Sequence, residues 1–433
     1  MGPPEGTTAH PGLAPATGHR CRSCAAPLSR VFVDLGLSPL ANSYVEPEDL
    51  DRPETFYPLK AYVCESCFLV QLPPAVAPEE IFTEYAYFSS YSASWVEHAR
   101  RYAEMATERF GLGAESLVVE LASNDGYLLR HFRERGVPVL GVEPARNVAR
   151  AAEEAGIPTV CDFFTREKAR ELAAEGARAD LLVGNNVLAH VPDLNDFVAG
   201  IATILAGSGV ATLELPHLLR LLEENQFDTI YHEHVSYFSL HAVRTVFEAH
   251  GLELFDVEEL PTHGGSLRIY ARRAGRNQGI ARGGAAEGPG KRVADLLRRE
   301  RQAGLLEPTT YDAFEERVRA TKRRLLRFLV EAREEGRLVA GYGAPAKGNT
   351  LLNYCGVGPD LLELTVDRSP HKQGRYLPGT RIPIAAPERL RELRPDVVLI
   401  LPWNLKDEIM EQMADVRSWG GRFAVAIPEL EVL

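Results

Sequence analysis

From Leu117 onward, short apolar runs alternate with amphipathic stretches, the pattern of a parallel sheet covered by helices on both faces. Leu117–Leu121, Val139–Val142, Pro158–Val160, Leu181–Val183 and Val210–Leu215 are expected strands, with helices such as Tyr127–Arg135 and Val148–Ala155 between them. After a helix over His241–His250, Leu252–Glu258 and Ser266–Arg272 read as a closing hairpin. Ala274 to Gly290 is rich in Gly, Ala and Arg without apolar periodicity and reads as a linker, the whole boundary region being residues 274–309. A long charged helix from about Tyr311 to Glu335 leads into a second α/β unit, residues 310–433, with strands at Arg337–Gly341, Leu362–Val366, Val397–Leu401 and Phe423–Ile427. Upstream, Tyr62-Val63 and Phe68-Leu69-Val70 give short strand signals only.

Composition narrows the class. A chain of 433 residues, 45% hydrophobic and 25% charged, is long enough for several globular domains. A net charge of -12 argues against a nucleic-acid or anionic-membrane binder. No apolar run reaches the roughly 18 residues of a membrane helix, and Met1 to His19 lacks the apolar core of a signal peptide, so this segment is expected to be a disordered tail and the protein cytoplasmic. Four of the six cysteines form two matching pairs, Cys21-Arg-Ser-Cys24 and Cys64-Glu-Ser-Cys67. Two such knuckles supply the four thiolates of a structural zinc site, and a site filled by sulfur has no open position for substrate. Disulfides are the competing reading, disfavoured in a reducing compartment. Residues 20–75 are therefore expected to be a zinc-binding module, and Cys161 and Cys355 small buried residues.

The first strand of the central unit carries Glu120 and runs into Ala122-Ser123-Asn124-Asp125-Gly126 before a helix. Open α/β sheets bind nucleotides at such strand-to-helix turns. Glu143 ends the next strand, about 20 residues on, where an acid meets ribose hydroxyls. Asp162-Phe163 after the third strand suits an adenine amino group and ring face, and Glu120 a cationic amine. GxGxxG is absent, so a pyrophosphate cradle is poorly supported. S-adenosylmethionine, which carries no phosphate, fits this turn better, and residues 76–273 read as a methyltransferase-type Rossmann-like sheet.

Two more segments carry chemistry. Tyr231-His232-Glu233-His234 places a phenol, two imidazoles and a carboxylate together, groups suited to proton transfer near neutral pH. His190 follows the fourth strand, at the end of Asn185-Asn186-Val187-Leu188-Ala189-His190. A loop dense in tyrosine, with Tyr85, Tyr87 and Tyr91, suits ligand lining or simple packing. In the C-terminal unit, Gly341-Tyr342-Gly343-Ala344-Pro345-Ala346-Lys347-Gly348-Asn349 lies between a strand and a helix, so its amides and Lys347 are candidates for phosphate, with Lys372 in a second basic loop.

With the zinc knuckles, the Glu120–Gly126 turn, Tyr231-His-Glu-His234 and His263-Gly-Gly-Ser-Leu-Arg268 in this order, nearly the whole chain resembles the sugar C-methyltransferases of deoxysugar biosynthesis. The resemblance implies three parts: an N-terminal zinc-binding module, a class I S-adenosylmethionine-binding domain and a C-terminal Rossmann-like domain that holds a sugar nucleotide. It further implies C-methylation of a dTDP-linked 4-keto-deoxysugar, C3 favoured over C5, in antibiotic-type pathways. His234 is then the base, Glu233 its tuner, Tyr231 a donor, and His190 and Tyr85 further active-site groups. Cofactor contacts are expected from Glu120, Ala122, Asn124, Gly126, Glu143, Asp162 and Asn185, and substrate contacts from Arg268, Tyr342, Lys347, Asn349 and Lys372. The partners expected are the keto-sugar alone, without nucleic acid or membrane, and the chain is expected to be a monomer. An NAD-dependent sugar-nucleotide oxidoreductase and a zinc-dependent binding module are the alternatives.

Overall fold

The computed structural model describes residues 18–77, 89–275 and 290–433. A first antiparallel sheet begins with β1 (Arg30–Ser38), β2 (Tyr57–Val63) and β3 (Val70–Gln71). The helix α1 (Ala93–Phe110) follows, opened by the Ser92 side chain, which accepts the Trp95 amide, and closed by Gly111 in the left-handed region. The central sheet is built from β4 (Val118–Leu121), β5 (Val139–Val142), β6 (Thr159–Val160), β7 (Ala179–Asn185) and β8 (Leu205–Pro216), all parallel. Every side chain of β4 is buried, as expected of a strand covered on both faces. The chain then passes through Tyr231–His234 into β9 (Ser236–Tyr237), which leaves the central sheet and pairs with β3 of the first one. After β10 (Leu252–Leu260), β11 (Ser266–Arg273) inserts antiparallel beside β8. The order is β10-β11-β8-β7-β4-β5-β6, the seven-stranded class I methyltransferase arrangement expected from the sequence.

The expected linker 274–309 needs correcting. Residues 276–289 lie outside the described residues, but Lys291–Gln302 forms a helix packed against β10. Its Glu300 is buried, accepts the His217 imidazole at 2.9 Å, and caps the helix that begins at Leu240 through the amides of Leu240 and His241. The basic residues of this stretch mask the apolar stripe Val293 and Leu296, which faces inward.

The C-terminal sheet has the order β14 (Ile384–Ala385), β13 (Thr365–Val366), β12 (Val339–Tyr342), β15 (Val397–Ile400), β16 (Arg422–Val425), β17 (Glu431–Val432), parallel except for its last strand. Its core is continuous with that of the first sheet: Phe32 of β1 stacks on Phe314 at 4.5 Å, both rings being buried. Burying two such rings stabilises the junction by about 1.5–3 kcal/mol each. Among the described residues no helix is long and apolar enough to cross a membrane. Cys355 is buried as expected, whereas Cys161 is exposed at the end of the short β6.

Candidate active site

The four knuckle cysteines converge. Their sulfur atoms all lie within 4.8 Å of one another, Cys21 with Cys67 and Cys24 with Cys64 at 3.5 Å, and all four are free thiols rather than disulfides. Both knuckles turn the same way, the amides of Ala25 and Phe68 donating to the carbonyls of Cys21 and Cys64, with Ala25 and Phe68 at positive φ. Gln71 of β3 donates to the Cys21 sulfur at 3.1 Å, which favours thiolate character. This donor set fits zinc with no position left for substrate.

A cavity of about 560 Å³ runs from the carboxyl edge of the central sheet to the first turn of the C-terminal helix Ala346–Cys355. At one end is the turn after β4, where Ala122, Asn124 and Gly126 all adopt left-handed backbone angles. A Cβ on Gly126 would sit 2.8 Å from Ile157, so this position demands glycine. Glu143 braces the turn by accepting the amides of Asn124 at 2.9 Å and Ala145 at 2.8 Å. Beneath the turn Glu120 is buried; one of its oxygens has no partner among the described residues, and burial, with Glu143 and Asp125 nearby, pushes its carboxyl well up. The Asn185 amide nitrogen is likewise buried and unpartnered. Orphaned polar atoms at the carboxyl edge of the sheet are what a polar cofactor would satisfy, so the residues present fit S-adenosylmethionine. Ala122, Asn124, Glu143 and Asn185 line the cavity. Asp162 does not: it pairs with Lys168 at 2.9 Å and accepts the Phe163 amide, leaving Phe163 and Phe164 on the wall.

At the other end stand Tyr231, His234 and His190. The contact of His234 Nδ1 with the Thr229 carbonyl, 3.0 Å, requires Nδ1 to carry the proton, because a carbonyl only accepts. Nε2 is therefore bare, and Tyr231 donates its hydroxyl to it at 2.9 Å. His190 Nδ1 donates to the Glu233 carbonyl at 2.8 Å, and its ring lies edge-on to His234 at 4.8 Å. Burial pushes both imidazoles down, His190 to about 4 and His234 well below its usual range, with His190, His263 and Lys347 adding to the effect on His234. The Glu233 side chain turns off the cavity to accept Asn42 from the first sheet's loop at 2.6 Å, and burial pushes its carboxyl up to about 7. His232 also faces away, its ring 5.7 Å from that of Tyr57.

From the C-terminal unit, Lys347 enters the same cavity. Its ammonium donates to Asn404 at 2.8 Å and lies 4.7 Å from the centre of the Trp403 ring, whose indole N–H donates to the buried Asp228. Burial pushes the lysine down, opposed by Asp228. The other expected substrate contacts are elsewhere. Arg268 is buried in ion pairs with Glu214 at 2.6 Å and Glu258 at 3.1 Å. Asn349 is buried and donates to the Ala41 carbonyl, joining the C-terminal unit to the first sheet. Tyr342 and Lys372 lie at the carboxyl edge of the C-terminal sheet, off the cavity wall, Lys372 donating to the Ala344 carbonyl. Tyr85 and Tyr87 are outside the described residues, and Tyr91 is exposed with its ring 6.1 Å from His371. Trp95, Asn186, Gln226 and His263 line the cavity without having been expected there. His263 stood in a quoted motif; Asn186 and Gln226 carry no sequence signal beyond their polarity, and Trp95 none beyond its aromatic ring.

Known proteins settle the family. Residues 261–428 match the model of the C-methyltransferase C-terminal domain, residues 21–82 that of a zinc binding domain, and residues 95–257 that of a methyltransferase domain. C-methyltransferase NovU of Streptomyces niveus is 40% identical over 416 residues, 95% of this chain and 96% of its own. The chain belongs to the C-methyltransferase family. Among solved structures, the 1,6-didemethyltoxoflavin-N1-methyltransferase of Burkholderia thailandensis is 21% identical, covering 47% of this chain and 94% of its own at a TM-score of 0.34. The magnesium protoporphyrin IX methyltransferase of Synechocystis is 13% identical, covering 42% and 79% at a TM-score of 0.31. This C-methyltransferase is an S-adenosylmethionine-dependent enzyme with a structural zinc site. When bound, S-adenosylmethionine supplies a methyl group made electrophilic by its sulfonium; the substrate must supply the carbon nucleophile, and the protein a place for that carbon's proton.

Proposed function

We propose that this C-methyltransferase methylates a carbon next to the ketone of a dTDP-linked 4-keto-deoxysugar, C3 in preference to C5. The observation that carries the reading is the single cavity joining the cofactor turn, the Tyr231–His234 pair and Lys347. A carbon becomes nucleophilic when a neighbouring carbonyl lets it lose a proton, so a C-methyltransferase needs a base at one side of its substrate and positive or hydrogen-bonding groups at the other.

In this reading His234 is the proton acceptor. Its bare Nε2 is reached through the Tyr231 hydroxyl, which takes the carbon's proton as it passes its own to the imidazole. A buried imidazole is a weak base in the empty site, but an enolate forming beside it raises its proton affinity. His190 packs edge-on to His234 and holds it in place, while Glu233 fixes His190 through its carbonyl. Glu143, Asn124 and Ala122 hold the ribose and amino-acid ends of the cofactor, with Phe163 against adenine. Lys347 meets negative charge on the substrate, either enolate or diphosphate, and Tyr342 and Lys372 extend that surface towards the nucleotide. The division of labour is then zinc-binding module, residues 20–75, cofactor domain, 76–273, and sugar-nucleotide domain, 310–433, within one monomer.

His234→Ala is expected to lower kcat about 10²- to 10⁴-fold, the range of a lost general base, with unchanged S-adenosylmethionine affinity by calorimetry. Wild-type turnover on a 4-keto-deoxysugar nucleotide in that variant removes His234 from the role.

A further inference from the structure

We propose that His263 is a catalytic residue of the methyl transfer, donating a hydrogen bond from Nδ1 to the substrate carbonyl oxygen as it becomes an enolate oxygen. The proposal rests on the keto-sugar reading above and adds to it the group that receives the developing charge.

His263 sits in the turn between β10 and β11 with φ 56° and ψ 20°, the left-handed region. Histidine enters this region more often than most residues, yet glycine or asparagine would hold the same turn with less strain. Strain of this kind, of order 1–3 kcal/mol, persists where the surroundings enforce it. They do so here: Gly264 and Gly265 also have positive φ, and a Cβ on either would lie 2.6 Å from Trp403 or 2.7 Å from Arg220. The Gly264 carbonyl accepts Gln226 at 2.6 Å and the Gly265 carbonyl accepts the His217 amide at 3.1 Å. The turn is locked, and what it delivers is an imidazole on the cavity wall.

The ring is also oriented. Asn186, just after β7, donates its amide to Nε2 at 3.4 Å, and Trp95 packs against the ring at 5.1 Å. With Nε2 accepting, the neutral ring carries its proton on Nδ1, and among the described residues nothing accepts from that atom. Crowding by protein atoms and the nearby Lys347 ammonium push the pKa of His263 down. His263 is thus a neutral N–H donor at pH 7, on the wall of the same cavity that holds the cofactor turn and His234.

As the base takes the proton from carbon, the C–H pair becomes the enolate double bond, and the carbonyl π pair moves to the oxygen held by Nδ1–H. The enolate carbon then bonds to the sulfonium methyl, the broken S–C pair returns to sulfur, and the carbonyl is restored. His263 donates throughout and ends unchanged.

The test uses the full-length, zinc-loaded protein with S-adenosylmethionine and a 4-keto-deoxysugar nucleotide in deuterated water, reading kcat, exchange of the proton next to the ketone, cofactor affinity and Tm. His263→Gly is expected to keep or raise Tm, because the strain is gone, to leave cofactor affinity unchanged, and to lower kcat and exchange together by about 10²- to 10³-fold. His263→Asn, which tolerates the same backbone and restores an N–H donor, is expected to recover part of the loss. Wild-type kcat in His263→Gly overturns the proposal, as does a kcat loss that only parallels falls in Tm and cofactor affinity. Loss of methylation with wild-type exchange overturns the donor role as well. Wild-type exchange and turnover carry the reading of the substrate; the ratio of variant to wild type carries the assignment of His263.

Discussion

His234 makes two hydrogen bonds, and together they fix its tautomer: Nδ1–H to the Thr229 carbonyl and Nε2 to the Tyr231 hydroxyl. The sequence displayed these residues side by side, because Tyr-His-Glu-His is rare enough to notice, but not that the outer and inner pairs face opposite ways. Tyr231 and His234 enter the cavity; His232 and Glu233 turn towards the first sheet. Asp228 shows what sequence reading could not supply. Burial pushes its carboxyl from 3.8 up to about 6, against the pull of Lys347 and the Trp403 N–H. The folded protein therefore holds a proton that the unfolded chain has released between about pH 4 and 6, so this contribution to stability is full below pH 4 and lost as the pH rises through 6. Asp228→Asn removes that loss. Its stability relative to wild type is expected to increase from pH 4 to pH 7 by roughly 2–3 kcal/mol in urea titrations; a gap that stays constant, or opens on the acid side, contradicts the account.

At the level of elements, the apolar runs were a good guide wherever strands are buried in the middle of the central sheet, as in β4, β5, β7 and β8. It failed where tertiary pairing makes the element. β9 is two residues long and exists because β3 offers an edge to it. The helix Lys291–Gln302 was hidden by its charges and is held by Glu300 and by Arg292, whose guanidinium pairs with Asp256. Arg268 illustrates the same limit: the family resemblance implied a substrate contact, yet β11 points it into the sheet, where Glu214 and Glu258 neutralise it and the Tyr102 ring lies 4.7 Å away. Removing one partner of such a buried pair costs about 3–5 kcal/mol. Arg268→Met is accordingly expected to lower unfolding free energy by that amount while leaving the KM for the sugar nucleotide unchanged. A stable variant with a raised KM would return Arg268 to the substrate.

Across the whole molecule, the zinc-binding module acts as a brace for the reaction chamber. Gln71 touches the Cys21 sulfur and lies in β3, which pairs with β9 just after His234. Arg22, between the cysteines of the first knuckle, donates to the carbonyls of Leu72, Val191 and Pro192, the last two directly following His190. Asn42 reaches Glu233, and Asn349 and Tyr44 tie the same module to the C-terminal unit. Cys64→Ser is therefore expected to lose zinc and folded yield, because metal binding and folding are one equilibrium; a well-folded, zinc-free and active variant contradicts the brace. The cysteine spacing made the metal legible, but the contacts that join it to the chemistry are long-range and had no local signature. The reaction proposed for this cavity is formation of an enolate and its methylation. The purified protein, S-adenosylmethionine and a panel of dTDP-4-keto-deoxysugars in deuterated water, followed by mass spectrometry, test it directly. The account predicts a product heavier by one methylene and by exchanged deuterium, with deuterium uptake but no methylation when the cofactor is replaced by S-adenosylhomocysteine. Neither methylation nor exchange with any sugar of the panel, from protein that binds S-adenosylmethionine, would contradict it.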